Sequence, residues 1–197
     1  MASQTMLKVV AICGSLRKAS FNNGLVRAAI DLSKKEVEGL EIEFVDISPL
    51  PILNTDLEVA GAYPAAVEAF RQKIREADCF LFATPEHNYS VPAALKNALD
   101  WASRPPNCWG DRAAAIVSAA GGSGGSRAQY HLRQIGVFLD IHFINKPEFF
   151  LLAFAPPKKF DHATGDLIDA QARDKLKEVL ISLGNFARRI QVRKPEP

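Results

Sequence analysis

Short, almost wholly apolar runs alternate along the chain with longer segments whose apolar residues recur every three to four positions. Leu7–Cys13 (LKVVAIC) is the first run, and it ends at Gly14 and Ser15, as a strand buried on both faces should. Beyond it Leu25, Val26, Ala28, Ala29 and Leu32 fall on one helical stripe. Glu41–Asp46 (EIEFVD) predicts a second strand, and Ile47–Asn54, with Pro49 and Pro51, a loop. A helix from Pro64 to Glu76 follows, with proline in its first turn, and then a third buried strand at Asp78–Thr84 (DCFLFAT). Pro92 opens another helix, in which Leu95, Ala98, Leu99 and Ala102 share a face, and Pro105-Pro106 closes it.

Arg112–Ala119 (RAAAIVSA) predicts strand four, Gly121–Gly125 a glycine loop, and Ser126–Leu139 the next helix. Ile141–Ile144 is a short fifth strand that Phe149–Ala153 could continue, and Pro156–Asp166, rich in Pro, Lys and Asp, is a loop. A last helix carries Leu176, Val179, Leu180, Leu183, Phe186, Ala187 and Ile190 on one face. Arg188, Arg189, Arg193 and Lys194 suit its negative end. Five strand–helix units predict an α/β fold, a three-layer sandwich around a five-stranded parallel sheet, because each crossover must return the chain to the same edge. The flavodoxin-like strand order 2-1-3-4-5 is the first choice and the classic Rossmann order the second. No repeat or linker divides the chain, so residues 1–197 are expected to form one domain.

Composition narrows the partners. The 197 residues are 48% hydrophobic and 23% charged, enough to bury one core and too apolar for a disordered chain. A net charge of +2 does not suggest a nucleic-acid binder, whose basic residues should cluster on one face. Cys13, Cys79 and Cys108 are widely separated, so neither a disulfide framework nor a structural zinc site is expected; nor do the four histidines form a metal-ligand pair. Met1–Lys8 lacks a signal-peptide pattern and no apolar run is long enough to span a bilayer; the expectation is a soluble, cytoplasmic protein.

In a doubly wound sheet, ligands bind beyond the carboxyl ends of the strands, where the strand order reverses. Three loops fall there. The first, Gly14–Asn23 (GSLRKASFNN), offers hydroxyls, a guanidinium, amides and a helix N-terminus, the donors a phosphate dianion needs, without being a dinucleotide or Walker loop. The second, Pro85–Pro92 (PEHNYSVP), is stiffened by two prolines and could hold the polar edge of a planar heterocycle, although by spacing alone a tight turn explains it better. The third, Gly121–Gly125 (GGSGG), lets backbone amides approach a flat ligand. It also matches G-x-S-x-G, the elbow of serine hydrolases, with Asp161 and His162 following in order. Adjacent residues seldom supply both acid and histidine of a triad, and that reading leaves the first loop without a role.

At these loops the sequence resembles the NADPH-dependent FMN reductase family of flavodoxin-like enzymes, near its quinone- and chromate-reducing members. The likeness runs from about Leu7 to Ile190 and rests on GSLRKASFN (Gly14–Asn22), PEHNYSVPAALKNALDWASR (Pro85–Arg104), GGSRAQYHLRQIGVFLD (Gly124–Asp140) and NKPEF (Asn145–Phe149). It implies non-covalent FMN with NADPH or NADH as co-substrate, and an acceptor such as a quinone that takes both electrons in a ping-pong cycle. No side chain then acts as nucleophile or metal ligand.

The resemblance further implies that Ser15, Arg17, Ser20 and Asn22 lie at the ribityl phosphate, with Phe21 also among the cofactor-binding residues. Pro85, Glu86, His87, Asn88 and Tyr89 would border the isoalloxazine ring, and Ser118, Gly121 and Gly122 its pyrimidine side. His87 stands where the family usually has tyrosine. Family members form dimers that sometimes pair into tetramers through positions matching Arg127, Tyr130 and Glu148, so a homodimer and in some cases a homotetramer is expected. The rival within the fold is a flavodoxin-type electron carrier, which is usually strongly acidic, as this chain is not.

Overall fold

The computed structural model describes residues 5–191. Its sheet is built from β1 (Leu7–Cys13), β2 (Leu40–Phe44), β3 (Cys79–Ala83), β4 (Arg112–Ala120), β5 (Ile141–Phe143) and β6 (Phe150–Leu152). The helices are α1 (Phe21–Lys35), α2 (Ala65–Glu76), α3 (Ala93–Ser103), α4 (Ser126–Leu139) and α5 (Ala170–Gln191). The strands lie parallel in the order β2-β1-β3-β4-β5, the expected flavodoxin-like topology, and the Rossmann order is set aside.

Alternation along the strands sorts the core into two layers. Val9, Ala11, Leu81, Ala115 and Val117 face one way and pack with Leu25, Ala29, Leu176, Leu180 and Leu183 of α1 and α5. Val10, Ile12, Phe80, Phe82 and Ile116 face the other way, toward α2, α3 and α4 and the buried Trp109. Burial on both faces explains why β3 reads as an unbroken apolar run. Each large side chain buried this way contributes roughly 1.5–3 kcal/mol.

The fifth line of the sheet is one strand in two pieces. β5 pairs with Arg112–Ala114 of β4, and β6 with Ser118–Ala120 of the same strand. Between them lies Pro147, which has no N–H to give a ladder. The sequence expectation of a continuation at 149–153 therefore corresponds to β6. Other boundaries move by a residue or two: β2 is Leu40–Phe44, where its pairing with β1 ends, and Pro64 and Pro92 sit just before their helices. Wholly buried Arg71 donates to the carbonyls of Trp101, Arg104 and Pro106, placing its charge at the negative end of α3. Arg188 donates to the Gly39 carbonyl at the end of α5; Arg193 and Lys194 lie outside the described residues.

Candidate cofactor site

The three loops singled out in the sequence leave the sheet side by side. Cys13 is in register with Ala83 and Ala83 with Val117, and the ladder runs on through Gly14 N–H to Ala83 O and Thr84 N–H to Val117 O. All three therefore open at the carboxyl edge, astride the β1/β3 reversal of strand order.

The first loop ends in a capped helix. Ser20 has extended backbone angles, and its buried Oγ accepts the Asn22 N–H (3.2 Å), as an N-cap should. Among the described residues, the amides of Leu16, Lys18, Phe21 and Asn23 have no acceptor. No acid occupies the first turn of α1, and Arg17 and Lys18 are exposed above it. Ser15 Oγ lies 3.4 Å from the Arg17 N–H. Unspent amides, a helix N-terminus and cations are what an anion requires.

Two side chains expected at the cofactor are engaged within the protein. The Phe21 ring stacks on Phe160 at 4.5 Å and tilts against Phe154 and His162. Buried Asn22 donates from Nδ2 to Ala119 O (2.9 Å) and accepts from Ala119 N–H at Oδ1 (3.0 Å). Its amide thus pairs with β4 where β3 has run out, tying the first loop to the end of β4. Both residues border the loop, with their side chains spent on protein partners.

The second loop is a two-residue hairpin turn. His87 and Ser90 exchange backbone hydrogen bonds of 3.0 and 2.9 Å, and Asn88 and Tyr89 have φ of 50° and 65°, the signature of a type I′ turn. Asparagine tolerates that conformation, but tyrosine in it costs on the order of 1 kcal/mol or more. The surroundings hold it: the Arg127 guanidinium lies 4.0 Å over the Tyr89 ring, and His131 Nδ1 is 3.0 Å from Ser90 Oγ. His131 is thus an exposed partner of this turn.

Glu86 precedes the turn and is almost enclosed. Burial pushes its pKa up, but donors from Ser123, Ala128 and Arg127 outweigh burial and hold it below the usual carboxylate range. Its loop is expected to border the ring; the carboxylate itself bonds to the third loop and α4.

The third loop separates its glycines by role. A Cβ on Gly125 (φ 91°) would sit 2.6 Å from Ser118 Cβ, so that position needs glycine. A Cβ on Gly121 or Gly122 would meet nothing within 4 Å, and both residues are exposed beside the turn-bearing edge. Ser118, expected at the pyrimidine side, has its side chain spent on protein. Wholly buried, it donates to Gly124 O (2.6 Å) and accepts from Gln129 Nε2 (2.8 Å), supporting the loop from beneath. Gln129, which lies in a quoted motif but was given no role at the site, also donates to Phe149 O. The hydrolase arrangement is not assembled: Ser123 donates to Glu86, Asp161 accepts amides of its own turn, and His162 packs on Phe21.

An anion cradle at one end and an open glycine ledge beside a rigid turn at the other suit an elongated ligand with a phosphate tail and a flat, polar-edged head. FMN has that form, and the donors present fit it. The fold and this loop set define a flavodoxin-like protein whose carboxyl edge offers the donors a nucleotide needs.

Comparison with known proteins agrees. The model of the NADPH-dependent FMN reductase family matches residues 7–155. The chain is 65% identical over 190 residues to NADPH:quinone oxidoreductase of Arabidopsis thaliana, covering 96% of each. It is 63% identical over 191 residues to NAD(P)H:quinone oxidoreductase of Solanum tuberosum, covering 97% of this chain and 98% of that one. The solved structure of FerB, an NAD(P)H:(acceptor) oxidoreductase from Paracoccus denitrificans, matches with a TM-score of 0.80 at 28% identity, over 93% of this chain and 98% of that one. The chain belongs to the NADPH-dependent FMN reductase family and is an oxidoreductase.

Among the described residues no group of histidine, cysteine and acidic side chains could hold a metal, and no helix is long and apolar enough to cross a membrane. The residues expected to join dimers have partners within the chain: Arg127 on Glu86 and Tyr89, and Tyr130 Oη 3.5 Å from Glu148.

Proposed function

We propose that this protein binds FMN non-covalently across the three loops and uses it to pass two electrons from NADPH or NADH to quinone-type acceptors, as the names of its plant relatives describe for them. The observation that carries this reading is the set of unspent amides at the start of α1, with Arg17 above them, on the same sheet edge as the open Gly121–Gly122 ledge. Ser15, Arg17, Ser20 and the loop amides hold the phosphate. The His87–Ser90 turn and the two glycines border the ring with backbone N–H groups, which favour negative charge on it. Bound FMN supplies the two-electron chemistry, so no side chain has to act as nucleophile. Asn22, Glu86 and Ser118 serve by fixing the backbone that does the binding.

The same reading places a second copy on α4. Val137 and Phe138, 81% and 87% exposed, stand side by side at its end, more apolar surface than a helix facing only water needs. Sedimentation should give the mass of two or four chains; one chain at micromolar concentration with full activity would refute the interface.

An absorbance spectrum of the purified protein with FMN, followed by NADPH and a quinone, tests the function. The expected result is a bound-flavin spectrum and steady NADPH consumption without any partner protein. Flavin binding with no turnover would make the protein an electron carrier, and no flavin binding would overturn the site.

A further inference from the structure

We infer that Glu86 is a positioning residue that fastens the His87–Ser90 turn to the glycine loop, so that both loops present their amides to the flavin ring as one body; this rests on the flavin reading above. Helix α4 begins at Gly125 in a left-handed conformation, with no side-chain cap and no acid in its first turn. Its cap comes from the loop after β3. Glu86 Oε2 accepts the N–H groups of Arg127 (3.0 Å) and Ala128 (3.3 Å), while Oε1 accepts Ser123 Oγ–H (2.8 Å) and the Arg127 guanidinium (3.3 Å). A carboxylate has about four lone-pair sites, so these four donors saturate it. With its side chain only 9% exposed, Glu86 reaches a ligand through the backbone it holds.

The links run both ways from that carboxylate. Ser123 Oγ, while donating to Glu86, accepts the Gly125 N–H (3.1 Å), which fixes the end of the glycine loop. Arg127, held by Glu86, covers the Tyr89 ring and braces the positive-φ turn. His131, one helical turn on, adds the contact to Ser90. Glutamine would keep one acceptor but set an NH2 group against N–H donors, so Glu86→Gln should loosen both loops together.

The test titrates the apoprotein with FMN and with riboflavin, measures the bound flavin's two-electron potential, and follows amide hydrogen exchange. Glu86→Gln should weaken both flavins by the same factor, about tenfold or more, and shift the potential to more negative values. Exchange should quicken at Arg127 and Ala128 and also at His87 and Ser90. Ser123→Ala, which removes one donor, should act in the same direction by less and decides the matter if Glu86→Gln does not fold. Weakening of FMN alone, unchanged affinity and potential, or faster exchange confined to α4 would each overturn the inference. If the unsubstituted protein binds neither flavin, the flavin reading falls, while the exchange measurement, which needs no ligand, still decides whether Glu86 couples the loops.

Discussion

Asn22→Ala should cost this protein stability before it costs chemistry. Asn22 is buried, and its amide satisfies both polar groups of Ala119 at 2.9 and 3.0 Å. Beyond Val117, β4 has no β3 residue opposite it, so those two groups have no other protein partner on that side. Alanine leaves a buried N–H and a buried C=O without bonds, at about 1–3 kcal/mol each; counting the lower half of that sum, the loss is about 2–4 kcal/mol. For a chain this long that is a fall in Tm of roughly 5–15 °C. Urea unfolding of the apoprotein measures it directly, since the midpoint should drop without a change in slope. Asn22→Asp, which keeps the acceptor for Ala119 N–H but sets a carboxylate oxygen against Ala119 O, should be at least as damaging as alanine. A loss under about 0.5 kcal/mol for Asn22→Ala would mean the clamp does no structural work. The residue would then revert to the phosphate-contact role its motif suggested.

Arg17→Ala should weaken FMN about five- to thirtyfold, the lower part of the range for a charge-assisted contact because the guanidinium is exposed and screened, and should leave riboflavin affinity unchanged; equal effects on both would remove Arg17 from the phosphate. Initial rates at several quinone concentrations should give parallel double-reciprocal lines, because one ledge serves donor and acceptor in turn; intersecting lines would require both to be bound together. Burial raises the thiol pKa of Cys13 to about 11 and of Cys79 to about 12, from 9.0. Above pH 9 the unfolded chain loses those protons while the folded one keeps them, so stability should fall as pH rises from 9 toward 11, and Cys79→Ala should flatten the fall.

Fold legibility followed burial. β3 and β4 are apolar runs covered on both faces, and their ends were readable to within a residue. The edge strand β2 was not, because Glu41 and Glu43 point to water and only the pairing with β1 says where the strand stops. The break in the fifth strand left a local signal, Pro147, but which piece of β4 each half would join depends on the register of the whole sheet.

The site shows a different limit. The three loops could be recognised from composition because Gly, Ser, Asn and Pro have local conformational preferences that do not depend on distant chain. Which polar atom faces a ligand and which faces protein is a long-range property, and there the expectation shifted. Ser118, Asn22 and Glu86 have the side chains a phosphate or a heterocycle would choose, yet each spends them on backbone of another segment. The reason lies in what the loops must do. Amides that are left unbonded to receive a ligand cannot also hold their own loop in place, so rigidity has to come from side chains behind them. A cleft that binds through its main chain therefore needs a buried polar layer beneath it, and the residues of that layer carry the same sequence signature as the ligand contacts themselves.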